Sequence, residues 1–147
     1  MAPPKPPFVH PLRVRFSECD MQGHVFNAHY LTYFDLAHTE LLREAIGSYQ
    51  RLVAGGQDLV VAAAQARYRA PARFDDELEI EMSVTRLGTT GMGSGFRMAR
   101  GEQTLAEVDL RHVFVTAADG TKTPIPDAVR AGLAPYVADA AALGSAD

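Results

Sequence analysis

Apolar and polar positions recur along the chain with two different periods, and the change of period divides it. Residues 12–18 read as a short strand, with Leu12, Val14 and Phe16 on one phase and Arg13 and Arg15 on the other. A polar turn through Asp20, Gln22 and Gly23 follows. The spacing then changes to threes and fours: Tyr30, Phe34, Ala37, Leu41 and Ala45 fall on one side of a helix predicted over residues 27–46. Asn27 is its expected N-cap and Gly47 its C-terminal stop. Leu31, Tyr33 and Leu42 widen the apolar surface, so the helix is expected to pack on a sheet over much of its circumference.

From Asp58 onward the period is two. Residues 59–69 form one expected strand, whose second half sets Ala64, Ala66 and Tyr68 against Gln65, Arg67 and Arg69. Residues 71–76 turn the chain. Residues 77–87 alternate cleanly, with Leu78, Ile80, Met82 and Val84 inward and Glu77, Glu79, Glu81 and Ser83 outward. Turns at 88–91, at Gly101-Glu102 and at Asp119-Gly120 bound strands over 92–100 and 103–116. Residues 127–138, entered through Pro124 and Pro126, read as a short terminal helix. The sum is an α+β layout: strand, helix, then four strands joined by short connections.

The 147 residues fit one domain, expected over 11–138. Four prolines among residues 1–10 suggest an extended arm, and the Ala-, Gly- and Ser-rich 139–147 a frayed tail. A net charge of −4 argues against a nucleic-acid surface. No run approaches the roughly 18 apolar residues that span a bilayer. The N-terminal stretch lacks the apolar core of a signal peptide. A single cysteine, Cys19, forms no internal disulfide, and a cytoplasmic location is the simplest expectation.

The chemistry concentrates between Phe16 and Leu42, in FSECDMQGHVFNAHYLTYFDLAHTELL. Asp20 stands in a Gly-containing turn just before the helix. A helix N-terminus offers free backbone N–H groups and partial positive charge, which favour an ionised carboxylate and the oxyanion of an attacked carbonyl. The plainer role for Asp20 is that of a turn or capping residue. Glu18 is either a second carboxylate or an exposed strand end. Cys19 points away from Asp20 by strand alternation and reads as a small buried residue. His112 shares its phase with Leu110 and Phe114 and reads as a core histidine with a hydrogen-bond partner. The run Gly91-Met92-Gly93-Ser94-Gly95 opens no helix, so its glycines fit a bend or a close backbone approach better than a phosphate loop. No metal-ligand spacing emerges from Asp20, His24 and His29.

This segment resembles the opening of the hot-dog thioesterases, especially the 4-hydroxybenzoyl-CoA thioesterase-like group, through Glu18, Asp20, Gly23, Val25, Tyr30, Tyr33 and Phe34. The run YRAPARFDDELEI from Tyr68 to Ile80 also resembles that group, and the likeness extends over residues 13–116. It implies a hot-dog fold, an antiparallel sheet of about five strands wrapped around one long helix. It also implies paired protomers, as dimers or tetramers, with a shared active site. The implied reaction is hydrolysis of an acyl-CoA, or of an acyl-carrier-protein thioester, to a carboxylic acid and free thiol. Asp20 would be nucleophile or general base, with the Asn27 backbone N–H polarising the carbonyl and His24 close by. Gly23, Val25 and Tyr30 would shape the substrate site. His29 stands where relatives often carry Asn, and Ser94 lies where another branch of the fold places catalytic groups. Coenzyme A enters as part of the substrate, and no metal or redox cofactor is implied.

Arg67, Arg69 and Arg73 form a basic cluster suited to coenzyme A phosphates, unless it is a solvated face balanced by Asp75 and Asp76. Arg86 is the remaining candidate in the turn after the third strand. Two rival readings are an enoyl-CoA hydratase or dehydratase of the same fold, kept open by His24, and a non-catalytic acyl-CoA-binding protein. Thiol release separates the first from hydrolysis, and binding without turnover marks the second.

Overall fold

A computed structural model describes residues 7–138. The expected arm over 1–10 and tail over 139–147 therefore fall largely outside the described residues. Five antiparallel strands form one sheet: β1 (Phe8–Arg13), β2 (Gln57–Tyr68), β3 (Glu77–Leu87), β4 (Gly91–Arg100) and β5 (Gln103–Thr116). Their spatial order is β1-β3-β4-β5-β2, which leaves β1 and β2 at the edges. The long helix α1 (Asn27–Ile46) buries Tyr30, Tyr33, Phe34, Ala37, His38, Leu41 and Leu42 against one face. Those side chains meet Leu78, Ile80, Met82, Phe96 and Phe114 in a single core. Such a helix over one sheet face is the expected α+β hot-dog arrangement.

α1 ends where Gly47 takes φ 96° and returns its N–H to Arg43 O at 3.0 Å, the stop that glycine permits at little cost. Its start differs from expectation. Asn27 is the first helical residue, and the N-cap is Phe26, which has no side-chain acceptor.

The first strand is displaced as well. It begins at Phe8, pairs with β3 and ends at Arg13, so residues 8–10 belong to the sheet and not to an arm. Phe16–Glu18 is a 3-10 turn, and Phe16 is 78% exposed. Alternation had given Phe16 an inward phase, but the chain leaves the strand before reaching it.

β3 follows its pattern: Leu78, Ile80, Met82 and Val84 are buried. A bulge between Val84 and Arg86 lies opposite the glycines of β4. A Cβ on Gly93 would stand 2.7 Å from Thr85 Oγ1, and one on Gly95 3.2 Å from Thr85 Cγ2. Those glycines serve a close approach, as their spacing suggested. A six-residue helix α2 (Tyr49–Ala54), capped by Ser48 accepting from Arg51 N at 3.2 Å, is too short to show a period in the sequence. The terminal helix α3 (Asp127–Leu133) stops before a 3-10 turn at Ala134–Tyr136, shorter than its pattern implied.

Candidate active site

The segment before α1 folds back on itself as a small hairpin. Cys19 bridges Val25 and His24 bridges Arg73. Asp20 N donates to His24 O at 2.8 Å, and Gly23 N to Asp20 O at 3.0 Å. Gly23 takes φ 76°, the left-handed geometry that closes the turn and that other residues adopt with strain. Val25 N donates to Ala72 O at 2.8 Å and Phe26 N to Glu18 O at 2.9 Å, so both flanks are fixed before the helix begins.

Asp20 combines both of its expected roles. Its Oδ1 accepts the Gln22 N–H at 2.9 Å, which is the turn role. Among the described residues no group donates to its second oxygen, and the side chain faces a cavity of ≈ 310 Å³. His24, Val25, Asn27, Tyr30, Tyr68 and Arg69 line the same cavity. Because α1 lacks a side-chain cap, its first N–H groups have few partners. His29 N reaches Phe26 O at 2.8 Å, whereas Asn27 N and Ala28 N bond to nothing among the described residues. An open carboxylate oxygen and the unoccupied N–H of Asn27 thus belong to residues of one concavity, with the Ala28 N–H next in the chain. That set suits removal of a proton from a nucleophile and stabilisation of negative charge on a carbonyl oxygen.

Aromatic residues hold the walls. Tyr30 is buried and its hydroxyl accepts Ala72 N at 3.0 Å; burial raises its pKa, so it stays protonated. Tyr68 meets Tyr30 edge-on, with centroids 5.0 Å apart, and donates its hydroxyl to Asn27 O at 3.1 Å. That bond ties the end of β2 to the start of α1. Tyr68 was legible as part of the YRAP run but not as a wall, because nothing local brings β2 to the helix start.

The other candidates divide. Glu18 is buried and fully engaged: Oε1 accepts Tyr33 Oη and Arg15 N, each at 2.8 Å, and Oε2 pairs with Arg15 at 3.1 Å. Burial opposes its ionised form, yet the Arg15 N–H, the Tyr33 hydroxyl and the Arg15 charge together lower its pKa. It is therefore neither an exposed strand end nor an available second base. Burial, then the Asp20 and Glu18 charges, raise the Cys19 pKa and keep the thiol protonated and unreactive.

His29 stacks edge-on with Phe26 at 5.9 Å and does not line the cavity. Ser94 is 1% exposed in mid-strand, away from the cavity. Of the basic cluster, Arg69 lines the cavity and pairs with Glu107 at 3.2 Å, while Arg67 and Arg73 are exposed nearby on β2 and in the loop bridged to His24. Arg86 sits near the far end of β3, about 30 Å along the strand from Glu77. Within one chain it does not join the others. His112 is buried as expected, but its Nδ1 has no hydrogen-bond partner among the described residues, contrary to expectation.

Comparison with known proteins identifies the family and the fold. A family model described as the thioesterase-like superfamily matches residues 14–133. The acyl-CoA thioester hydrolase YbgC of Escherichia coli is 35% identical over 115 residues, covering 78% of this chain and 84% of that protein. Among solved structures, a hypothetical protein from Aquifex aeolicus superposes with a TM-score of 0.83 at 28% identity, over 86% of this chain and 99% of that one. The dynemicin thioesterase gives a TM-score of 0.84 at 25% identity, over 91% and 99%.

Proposed function

Since the chain belongs to the thioesterase-like superfamily, we propose that its Asp20 cavity carries out the hydrolysis of acyl-CoA thioesters, the activity of an acyl-CoA thioester hydrolase. The observation that carries the assignment is the cavity itself, which Asp20, with its open oxygen, lines together with Asn27, whose N–H is unoccupied among the described residues. The thioester carbonyl oxygen lies on that N–H group. Water attacks the carbonyl carbon while Asp20 takes its proton. The C–S bond then breaks, and the coenzyme A thiolate leaves and is protonated. In the alternative course the Asp20 oxygen attacks directly and water cleaves the resulting anhydride. Single turnover in ¹⁸O-water separates the two, since solvent attack on the carboxyl side of the anhydride leaves label in Asp20.

Val25 and Tyr30 form the wall beside the reacting carbon, Gly23 sets the turn, and His24 is placed to touch the carbonyl or Asp20. Arg69, with Arg67 and Arg73, holds the coenzyme A phosphates, and the reaction calls for no metal or redox cofactor. The exposed edge of β2 pairs with that of a second copy, giving a dimer or a tetramer. The single cysteine suits a reducing compartment such as the cytoplasm, and no described helix is long and apolar enough to cross a membrane.

The test is thiol release from a panel of acyl-CoA and acyl-carrier-protein thioesters. Asp20→Asn keeps the Gln22 bond but supplies neither a base nor a carboxylate nucleophile. It is expected to fold and to lose about 10²- to 10⁴-fold in kcat. Near-wild-type turnover in folded Asp20→Asn overturns the mechanism. Absence of thiol release across the panel overturns the hydrolase assignment.

A further inference from the structure

The start of α1 is where the proposed chemistry puts its developing charge, and it is held from outside the helix. The N-cap Phe26 supplies no side-chain acceptor, and the Asn27 N–H is unoccupied among the described residues. A first turn without a capping side chain is the part of a helix that frays. Here Tyr68, the last residue of β2 and 41 positions further along the chain, donates its hydroxyl to Asn27 O at 3.1 Å. The ring that carries this hydroxyl is itself fixed. It meets Tyr30 edge-on at 5.0 Å, and Tyr30 is buried with its own hydroxyl on Ala72 N at 3.0 Å. The Tyr68 backbone is in register with Ala106 of β5, which is buried. Yet Tyr68 is 50% exposed and lines the Asp20 cavity.

We propose that Tyr68 is a positioning residue of the hydrolysis: its hydroxyl, by bonding the Asn27 carbonyl, keeps the Asn27 N–H on the thioester oxygen. The inference rests on the thioester-hydrolase reading and adds to it a hydroxyl that does not touch the reacting atoms. Asn27 has two soft backbone dihedrals and no capping side chain beside it to restrain them. With its carbonyl pinned to the end of a sheet strand, the residue does not turn its N–H away without breaking that bond. A donor fixed in advance is worth most where charge develops, because nothing has to rearrange at that moment. The thioester oxygen carries little charge in the bound substrate and much more once the carbonyl carbon is attacked. The hydroxyl therefore contributes to kcat and hardly to binding. A wall needs only the ring; the hydroxyl engaged with the helix backbone is the feature that a wall leaves unexplained.

Tyr68→Phe keeps the ring, its contact with Tyr30 and the cavity wall, and deletes only the hydroxyl. The position is half exposed, so the variant is expected to fold. Removing an oxyanion donor outright costs about 10²- to 10³-fold in kcat, so loosening one is expected to cost about tenfold, with KM within about twofold of the wild type. A merely structural role gives the other pattern: less folded protein or a raised KM, with kcat per folded molecule kept.

A second readout needs no turnover. Asp20→Asn is loaded with an acyl-CoA carrying ¹³C at the thioester carbonyl, and the carbonyl band is followed by difference infrared spectroscopy. A donor on the oxygen lowers that band relative to the free thioester. Adding Tyr68→Phe is expected to move it back towards the free position. A Tyr68→Phe kcat within about twofold of the wild type, or a carbonyl band that stays in place in the double variant, overturns the proposal. Thiol release with an unmoved band leaves the hydrolase reading standing without Tyr68; a band that moves, in a protein whose wild type releases no thiol, does the reverse.

Discussion

Glu18 and Asp20 stand two residues apart and do opposite work. The sequence offers both as carboxylates at a strand end, and local pattern does not separate them. Tertiary contacts do: Tyr33 arrives from nearly two turns inside α1 to claim Glu18, while among the described residues nothing arrives for the second oxygen of Asp20. Glu18→Ala should therefore act on stability. It strands the Tyr33 hydroxyl and the Arg15 N–H and should cost about 1–3 kcal/mol in urea unfolding. Its kcat per folded molecule should fall far less than that of Asp20→Asn. A stable Glu18→Ala protein with no turnover contradicts this division. The placement of Asp20, Val25 and Tyr30 around one cavity was legible because it is local to the turn and the helix start. The reach of Tyr68 and the isolation of Arg86 were not, since each depends on strand register across the sheet.

At the scale of elements, legibility followed length and regularity. β3 alternates over its whole span and α1 repeats over twenty residues, so both read correctly. α2 is shorter than two turns, and the Leu12–Val14–Phe16 phase outran the strand it belonged to. The contact of α1 with β5 has a consequence for pH. Two histidines held well below their ordinary pKa bind protons mainly in the unfolded chain. Unfolding therefore takes up protons below about pH 6.5, and stability, level above that value, should decline as pH falls towards 4. Urea midpoints measured across this range should show the decline, and His38→Leu with His112→Leu should flatten it. A wild-type midpoint that is constant from pH 7 to pH 4.5 excludes neutral burial of the pair.

The whole molecule leaves one strand unfinished. β2 bonds β5 on one side only, and most of its length is exposed, with Val60 at 45% and Val61 at 56%. A long edge of small and branched apolar residues with no covering element among the described residues is one that proteins ordinarily pair or protect. Charges do not guard its centre: residues 60–64 read Val-Val-Ala-Ala-Ala. Tyr68, the last residue of β2, lines the Asp20 cavity, so a second copy on this edge would stand beside that cavity. Light scattering at micromolar concentration should accordingly give at least twice the 15.9 kDa chain mass. Ala63→Lys places a charge at mid-edge without touching the Asp20 cavity. It should shift the protein towards monomer, leave the far-ultraviolet circular dichroism unchanged and lower kcat/KM in step with the loss of dimer. Raising protein concentration should restore both together, because association and activity would draw on the same interface. A wild-type protein that scatters as a monomer while turning over substrate removes the shared site.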